Sequence, residues 1–429
     1  MSVQAACALL SLAPLLVLGD PPIWTQPEQV HLSYPGAPGS MVVTWTTFNE
    51  TKSEVEYGLL GGRLFEMSAR GDAALFVDSG EEERKMYIHR VTLTDLKPAA
   101  TYVYHCGSDD GWSDVFSFAA LNDSASFSPR FALYGDLGNE NPQSLARLQK
   151  ETQLGMYDAI LHIGELSADK EDRQRIGDEF MRQIQSIAAY VPYMTCPGNH
   201  ESAYNFSNYR NRFSMPGRTE SLWYSWNLGS AHIISVSTEV YFYLEFGQDL
   251  IFKQHEWLRK DLEEANKPEN RALRPWIITM GHRPMYCSDD DQDDCTTFDS
   301  YVCEPHAPLL LPICYRVDVE LWAHEHTYER LWPVYGDQVY KGSKEQPYVN
   351  PKAPVHIITG SAGCREKTDR FNPNPKEWSA FRSTDYGYTR MQVVNGTHLY
   401  LEQVSDDQYG KVIDSIWVEK EQHGFSAWK

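Results

Sequence analysis

Five short polar clusters in this sequence, each directly after an apolar run, carry side chains that bind metal ions. In chain order they are Gly135-Asp136-Leu137-Gly138, Gly164-Glu165, Gly198-Asn199-His200-Glu201, Gly281-His282-Arg283-Pro284 and Ala323-His324-Glu325-His326. Carboxylate, amide and imidazole groups are suitable ligands for a pair of hard or borderline cations. Two such ions about 3.5–4 Å apart can clamp a phosphate group and activate a water molecule. One cluster alone is more often a turn, but five in series predict a metal centre.

A two-metal site needs ligands for each ion and a donor that protonates the leaving alcohol. His200, next to Asn199, is placed to contact the substrate or to donate that proton. The side chains predicted to bind the metals are Asp136, Asn199, His282, His324 and His326.

The apolar runs before the clusters have the length and composition of β-strands. They cover residues 131–134, 159–163, 191–196, 276–280 and 317–322. Helical periodicity covers residues 143–154, 175–190 and 248–265. This alternation predicts a layered α/β domain with βαβ units, and strand patterns return after about residue 385. In an open α/β sheet the loops at the carboxyl ends of the strands converge, so the five clusters are expected to meet.

The segment before this domain has a different pattern. Residues 24–120 alternate apolar and polar positions in short runs separated by Pro, Gly and Asp, which predicts an antiparallel β-sandwich. Residues 93–102 resemble the tyrosine-containing corner of fibronectin type III domains. Nothing in the segment looks catalytic, and the Ser-rich residues 122–128 are interpreted as the boundary.

The composition describes an ordinary folded protein with an acidic surface. Of the 429 residues 42% are hydrophobic, and the formal net charge is −21. No basic stripe offsets this charge, so we expect no nucleic-acid partner. Because an acidic surface repels anions at long range, any specificity for phosphate must come from a locally cationic site.

The first residues predict entry into the secretory pathway. Residues 5–18 are apolar, too short to span a bilayer and followed by a small residue, so residues 1–19 are expected to be a cleaved signal peptide. No later segment is apolar enough for a transmembrane segment. We therefore expect a secreted or lysosomal glycoprotein, and the sequence leaves its oligomeric state open. The glycan acceptors in Asn-x-Ser/Thr sites are Asn49, Asn122, Asn205 and Asn395.

The cysteines fit an oxidising compartment. The chain has eight, and removal of Cys7 with the signal peptide leaves an odd number, so at least one thiol is free or bridges two molecules. Four are close enough in sequence to pair locally: Cys287, Cys295, Cys303 and Cys314.

The order of the motifs is similar to that of the metallophosphoesterase superfamily. The motifs are Gly-Asp-x-Gly at Asp136, Gly-Asn-His-Glu at Asn199 and His-x-His at His324 and His326. With a β-sandwich in front, the chain resembles the purple acid phosphatases, and residues 194–201 and 322–330 resemble their animal, iron/zinc branch. The resemblance implies a signal peptide (1–19), a purple acid phosphatase N-terminal β-sandwich (24–120), a calcineurin-like metallophosphoesterase domain (128–360) and a purple acid phosphatase C-terminal region (353–420).

The family implies an acid phosphatase that hydrolyses phosphomonoesters, in small molecules or phosphoproteins, to alcohol and phosphate. Its cofactors are a ferric ion and a divalent ion, zinc or iron, and its nucleophile is a metal-bound hydroxide. Carried over by motif, Asp136 and His326 hold the ferric ion. Asn199, His282 and His324 hold the divalent ion.

Two segments depart from the family pattern. The second motif of the family is Gly-Asp-x-x-Tyr, whose Asp bridges the metals and whose Tyr binds iron, whereas this chain has Glu165 and Ala168. Glu165 is the candidate bridge, although its extra methylene displaces the carboxylate by more than the ~0.5 Å that catalytic sites tolerate. Because the phenolate gives the family its colour, we expect a colourless or weakly coloured protein. In residues 301–315, prolines exclude the helix that the family places there.

These departures leave other functions open. The altered second motif is consistent with a metal-deficient pseudoenzyme. A secreted interaction module, with residues 24–120 as its binding part, is another alternative. Within the enzyme class, the substrate could instead be a phosphodiester or a nucleotide.

Overall fold

The computed structural model describes residues 22–165, 175–290, 295, 317–343, 345–424 and 427. Three features considered above lie outside these ranges. They are the signal peptide of residues 1–19, the residues that follow Glu165 in the second motif, and the proline-containing residues 301–315.

The N-terminal domain is an antiparallel β-sandwich, as the alternating pattern predicts. Its strands are β1 (Glu28–Ser33), β2 (Met41–Thr47), β3 (Glu54–Leu59), β4 (Met67–Arg70), β5 (Asp72–Val77), β6 (Lys85–Leu93), β7 (Thr101–Ser108), β8 (Gly111–Trp112) and β9 (Phe116–Ala119). One sheet has the order β1-β2-β6-β5, and the other has the order β4-β3-β7-β8 with β9 also beside β7. Their inner faces share one hydrophobic cluster, in which Trp45, Val55 and Tyr104 are fully buried.

The fibronectin-like corner of this sandwich is formed by Tyr102. Its hydroxyl oxygen accepts a hydrogen bond of 2.9 Å from the backbone N–H of Lys97. A tyrosine that reaches back to the chain a few residues upstream is typical of such sandwiches, because it fixes the connection between the two sheets.

The second domain contains the strands that precede the five clusters. Its strands are β10 (Arg130–Tyr134), β11 (Ala159–Ile163), β12 (Tyr193–Cys196), β13 (Tyr224–Leu228), β14 (Ala231–Ser235), β15 (Trp276–Met280), β16 (Val319–Trp322), β17 (Tyr328–Leu331), β18 (Val334–Tyr335), β19 (Gln338–Val339), β20 (Val355–Thr359), β21 (Ser379–Ser383), β22 (Gly387–Val393), β23 (His398–Ser405) and β24 (Lys411–Glu419). The runs before the clusters form strands within two residues of the predicted bounds.

These strands form two large mixed sheets. The six-stranded sheet has the order β12-β11-β10-β22-β23-β24, and the seven-stranded sheet has the order β13-β14-β15-β16-β20-β17-β21. Strands β10 to β12 run parallel in the first sheet, as do β14, β15, β16 and β20 in the second. Both sheets contribute to one hydrophobic cluster, which includes Phe131, Ile160, Ile277 and Leu321. A short antiparallel pair, β18 and β19, lies outside both sheets.

The C-terminal strands complete the first sheet. Strand β22 pairs antiparallel with β10, with Arg130 opposite Gln392, and β23 and β24 extend the sheet from there. The three C-terminal strands therefore support β10, the strand that precedes Asp136.

Helices lie between the strands. They are α1 (Leu145–Gln153), α2 (Ile176–Ala188), α3 (Ala203–Arg212), α4 (Asp249–Ala265) and α5 (Pro268–Leu273). Three of them, α1, α2 and α4, lie where the periodicity predicts them, and α3 and α5 were not predicted. In α2, Phe180, Ile184 and Ile187 recur on one face and are buried, so burial of an apolar stripe explains the helix. Within the described ranges, none of the helices has the length and apolar composition needed to span a bilayer.

Buried polar contacts join the two domains. Asp178 on α2 is 1% exposed and pairs with Arg84 of the sandwich and with Arg212 of α3. His31 on β1 contacts the backbone oxygen of Arg212 through Nε2 at 3.0 Å. Because burying charges is costly unless they are paired, these contacts indicate a fixed interface and not a flexible tether.

Candidate metal centre

The five clusters meet in the fold, but they come from two sheets. Asp136, Glu165 and Asn199 follow β10, β11 and β12 of the six-stranded sheet. His282 and His324 follow β15 and β16 of the seven-stranded sheet. The predicted convergence at the carboxyl ends of strands is therefore observed, and it occurs where the ends of two sheets face each other instead of along one open sheet.

Asp136, Glu165 and His326, here called the first ligand group, form one side of the site. Oε2 of Glu165 lies 3.4 Å from Nε2 of His326. Asp136 is close enough to both for their charges to affect its pKa. All three side chains are more than nine-tenths buried. This group contains the donors that the family resemblance assigns to the ferric ion.

Asn199, His282 and His324, the second ligand group, face the first. Nε2 of His282 lies 2.7 Å from Oδ1 of Asn199 and 3.2 Å from Nδ1 of His324. Nδ1 of His282 lies 3.3 Å from the backbone oxygen of Ile163. If the ring proton is on Nδ1, facing that oxygen, Nε2 presents a lone pair to the two other donors. A cation is the natural partner for donor atoms that converge in this way.

Glu165 is shared by the two groups. In each of two sets of three candidate ligand atoms, the atoms lie within 4.8 Å of one another. One set comes from Glu165, His282 and His324, and the other from Glu165, His326 and Cys364. The carboxylate therefore lies between the two sets of donors.

Two buried polar atoms in the first ligand group fit the presence of a cation. Oδ1 of Asp136 and Nε2 of His326 are inaccessible to solvent and, among the described residues, have no hydrogen-bond partner. Such atoms are costly to bury unless something binds them. A carboxylate oxygen and an imidazole nitrogen are common ligands of iron and zinc, so the residues present fit the metals that the family implies.

The backbone at these positions is strained. Asp136, Glu165 and His324 have φ values of 56°, 47° and 71°, in the left-handed region that non-glycine residues rarely adopt. Strained residues of this kind occur mostly at functional sites, where the surrounding structure holds them in place.

Glycines permit the close approach of the loops. A Cβ on Gly164 would lie 2.1 Å from Nδ1 of His282, and one on Gly360 would lie 2.5 Å from Oδ2 of Asp136. Both distances are far below van der Waals contact, so any larger residue would displace a candidate ligand.

Burial and charge set the protonation of the site in the absence of metal. Burial raises the pKa of Asp136 well above its usual value, and the neighbouring Glu165 adds to this effect. Burial alone would raise the pKa of Glu165 too, but His200 and His326 lower it well below its usual range. Burial and the nearby His324 lower the pKa of His282 well below its usual value.

His200 lies at the edge of the site. Its Nε2 is 3.2 Å from Oε1 of Glu165, and its side chain is 18% exposed. Burial lowers the pKa of His200, but its contact with Glu165 outweighs this effect and raises the pKa to about 9. His200 is thus held beside the candidate bridge with access to solvent.

Arg283 contacts the second ligand group, although the sequence reasoning assigned it no role. Its Nη1 lies 3.0 Å from Nε2 of His324, and its Nε donates to the buried carboxylate of Glu239 at 3.1 Å. Its guanidinium lies 4.3 Å from the ring centre of Phe242. Arg283 directly follows His282 in the sequence. A positively charged residue next to a predicted metal ligand could therefore have indicated its role.

A loop of residues 364–369 holds His326, and the sequence reasoning also missed it. Nδ1 of His326 is 3.0 Å from the backbone oxygen of Lys367, and its backbone N–H donates to Oδ2 of Asp369 at 2.7 Å. Cys364 Sγ lies 3.3 Å from the same Nδ1. This loop follows β20 as the other clusters follow their strands, so the same pattern of an apolar run before Gly and polar residues could have identified it.

The remaining sequence-based predictions concern the surface and the cysteines. Cys287 and Cys295 form a disulfide, in agreement with local pairing, whereas Cys303 and Cys314 lie outside the described ranges. Cys106, Cys196 and Cys364 are free and buried. Of the four candidate glycan acceptors, Asn395 is exposed. The other three are partly buried: Asn49, Asn122 and Asn205.

Comparison with known proteins shows which family the chain belongs to. Three family models match the chain: purple acid phosphatase N-terminal domain (residues 27–120), calcineurin-like phosphoesterase (129–328) and iron/zinc purple acid phosphatase-like protein C (353–415). Acid phosphatase type 7 of Danio rerio is 71% identical over 96% of both chains. The protein of the same name from Homo sapiens is 58% identical over 91% of this chain and 90% of the other.

A solved structure shows the same fold. A purple acid phosphatase from yellow lupin (Lupinus luteus) seeds superposes with a TM-score of 0.79 and 24% identity, over 94% of this chain and 76% of the other. Together with the family models and the relatives above 50% identity, this likeness establishes the relationship. The chain belongs to the purple acid phosphatase family of metallophosphoesterases, and thus to the acid phosphatase class of enzymes.

Proposed function

We propose that the chain hydrolyses phosphomonoesters at acidic pH with a binuclear centre of a ferric ion and a divalent ion, zinc or iron. The observation that carries this proposal is the position of Glu165 between the two ligand groups. A carboxylate shared by two sets of donors is the feature that a two-metal site requires. Its presence speaks against the metal-deficient pseudoenzyme.

Each ligand group would hold one ion. Asp136 and His326 would bind the ferric ion, and Glu165 would reach it through Oε2, the oxygen nearest to His326. Asn199, His282 and His324 would bind the divalent ion. When bound, the two ions supply positive charge for the phosphoryl oxygens and make a water molecule acidic enough to act as a nucleophile.

The surrounding residues orient these ligands and handle the leaving group. His200, at the solvent edge, is the group that would protonate the leaving alcohol or hold the phosphate. The backbone oxygen of Ile163 fixes the ring of His282, and the loop of residues 364–369 fixes that of His326. Arg283, which is paired with the buried Glu239, would hold the ring of His324 in place through its contact with Nε2.

The compartment we propose is the secretory pathway, with the protein secreted or delivered to lysosomes. The disulfide between Cys287 and Cys295 supports this, because such bonds persist in oxidising compartments. The exposed side chain of Asn395 in its Asn-Gly-Thr site would accept a glycan.

The proposal is tested by metal analysis together with a phosphatase assay on p-nitrophenyl phosphate near pH 5. We expect close to two metal ions per chain, turnover of the monoester, and loss of both in His326→Ala. His398→Asn is the matched control, because His398 is partly exposed on β23 in the outer part of the sheet. Less than one ion per chain with no turnover would favour the pseudoenzyme, and faster hydrolysis of bis(p-nitrophenyl) phosphate would indicate a diesterase.

A further inference from the structure

Cys364 is a buried free thiol directly beside the first ligand group. One ligand atom from each of Cys364, His326 and Glu165 can be chosen so that all three lie within 4.8 Å of one another. Ligands of one zinc ion, at about 2.3 Å for sulfur and about 2.0–2.2 Å for nitrogen and oxygen, lie at most about 4.5 Å apart. Sγ of Cys364 lies 3.3 Å from Nδ1 of His326, so its side chain has to rotate toward Nε2 for the thiol to share an ion with these donors.

Two buried atoms of the first ligand group that make no hydrogen bond to a described residue also point to a cation at this place, one of them 3.4 Å from Oε2 of Glu165. Oδ1 of Asp136 and Nε2 of His326 are buried without a hydrogen bond in the described part of the chain. His326 offers Nε2 and not Nδ1, because Nδ1 faces the backbone oxygen of Lys367. A cation there could bind the carboxylate of Asp136 and the imidazole of His326. The phenolate that the family motif provides is missing.

The backbone holds Cys364 against the loop that carries Asp136. Its φ of 75° lies in the left-handed region, and its N–H donates to the backbone oxygen of Leu137 at 3.1 Å. A Cβ on Gly138 would lie 3.4 Å from the Cα of Cys364. The fold thus keeps a strained, non-glycine residue in contact with the metal-binding loop, as is common at functional sites.

A route exists for the thiol proton. Sγ of Cys364 donates to Oε2 of Glu366 at 2.8 Å, and Glu366 is exposed to solvent. If the sulfur bound a cation, its S–H bond would break, a sulfur–metal bond would form, and the proton would pass through Glu366 to water.

We propose that Cys364 binds the ion of the first ligand group through its thiolate, in the place of the missing phenolate. The proposal rests on the binuclear centre described above and adds a ligand to it. Since thiolate is a soft ligand, this position should also accept zinc or another borderline divalent ion in place of the ferric ion proposed above.

Titration of the metal-free protein with cobalt(II) chloride, under non-reducing conditions, tests the proposal. We expect wild type to bind cobalt and to develop a near-ultraviolet thiolate-to-cobalt charge-transfer band. Cys364→Ser should lose this band and retain cobalt at the second ligand group. Cys106→Ser is the matched control, because Cys106 is also free and buried but lies on β7 of the sandwich, and it should keep the band.

A second measurement does not depend on any variant folding. The zinc K-edge absorption of wild type loaded with zinc should contain a sulfur neighbour at about 2.3 Å. A cobalt-loaded protein without the band, a band unchanged in Cys364→Ser, or a zinc environment of nitrogen and oxygen alone would show that Cys364 only contacts His326. Those results would overturn this proposal and leave the binuclear centre intact, whereas failure to bind cobalt at all would overturn both.

Discussion

Oδ2 of Asp136 accepts a hydrogen bond of 2.9 Å from the backbone N–H of His324, a residue 188 positions further along the chain. This bond ties the end of β10 in one sheet to the end of β16 in the other. The other carboxylate oxygen, Oδ1, is buried and has no hydrogen-bond partner in the described ranges. One oxygen of Asp136 thus connects the two loops of the site, and the other is available to bind a cation.

Because the two oxygens have different roles, we predict that Asp136→Asn folds normally but binds metal weakly. The amide oxygen can still accept the bond from His324, but the negative charge is lost, so we expect binding of one ion to weaken at least about 100-fold. Without metal, the variant should be more stable than wild type at neutral pH, because burial raises the pKa of Asp136 and disfavours its charged form. Metal analysis and thermal unfolding in the presence of a chelator measure the two effects. A metal-free variant that melts below wild type would contradict the second.

Glu165 is expected to be essential through its charge and not its shape. Glu165→Gln keeps the size of the side chain but removes the carboxylate that lies near His200 and His326. We expect it to lose most of its bound metal at both groups, since this residue is shared by them. Glu165→Asp retains the carboxylate and should keep more metal than Glu165→Gln. Equal metal content in wild type and Glu165→Gln would rule out the bridging role.

A buried charge network far from the loops of the site predicts how stability depends on pH. Asp318 is fully buried and contacts Lys420, Arg271 and His423. Burial alone would raise the pKa of Asp318, but these cations lower it well below its usual value. Because the folded-state pKa is depressed, the stabilisation is complete above the unfolded value of about 4 and is lost as pH falls below it.

Asp318→Asn should therefore destabilise the protein at pH 7 by about 3–5 kcal/mol, since it leaves the 1%-exposed ammonium of Lys420 without its buried counter-charge. The difference from wild type should shrink below about pH 4, because the unfolded wild-type chain then binds a proton at Asp318 that the folded chain does not bind. Urea unfolding at pH 7 and at pH 3.5 would measure both. A difference that stays constant across this range would mean that Asp318 does not act through its charge.

The absence of a tyrosine from the second motif predicts the spectrum of the iron-loaded protein. Tyr157 and Tyr190 flank the motif, but the hydroxyl of Tyr157 pairs with Glu151 and the ring of Tyr190 packs against Phe116. We therefore expect no tyrosinate vibrations in the resonance Raman spectrum and at most a weak visible band. Any visible band that remains should come from Cys364 and disappear in Cys364→Ser. Strong tyrosinate vibrations would show that a phenolate reaches the iron.

Much of the site could be read from the sequence because its ligands stand at the ends of strongly apolar strands. Asp136, Glu165 and His282 each stand two positions after the last residue of a strand whose apolar residues are buried, with one glycine between. Cys364 and Arg283 were missed for a different reason. The apolar run and glycine before the loop of Cys364, and the position of Arg283 next to His282, were available signals, but only the distances to His326 and His324 showed that these residues contact the site.

The sequence by itself determined the sandwich, the α/β domain, the family and the candidate ligands, because strand and helix periodicity and short motifs are local properties. The tertiary structure decided that the ligands come from two facing sheets, and that the C-terminal strands β22 to β24 complete the sheet that bears Asp136. It also placed Glu165 between the two ligand groups and brought Cys364 to His326. Strand pairing and loop packing join residues that are far apart in the chain, so no local pattern encodes these contacts.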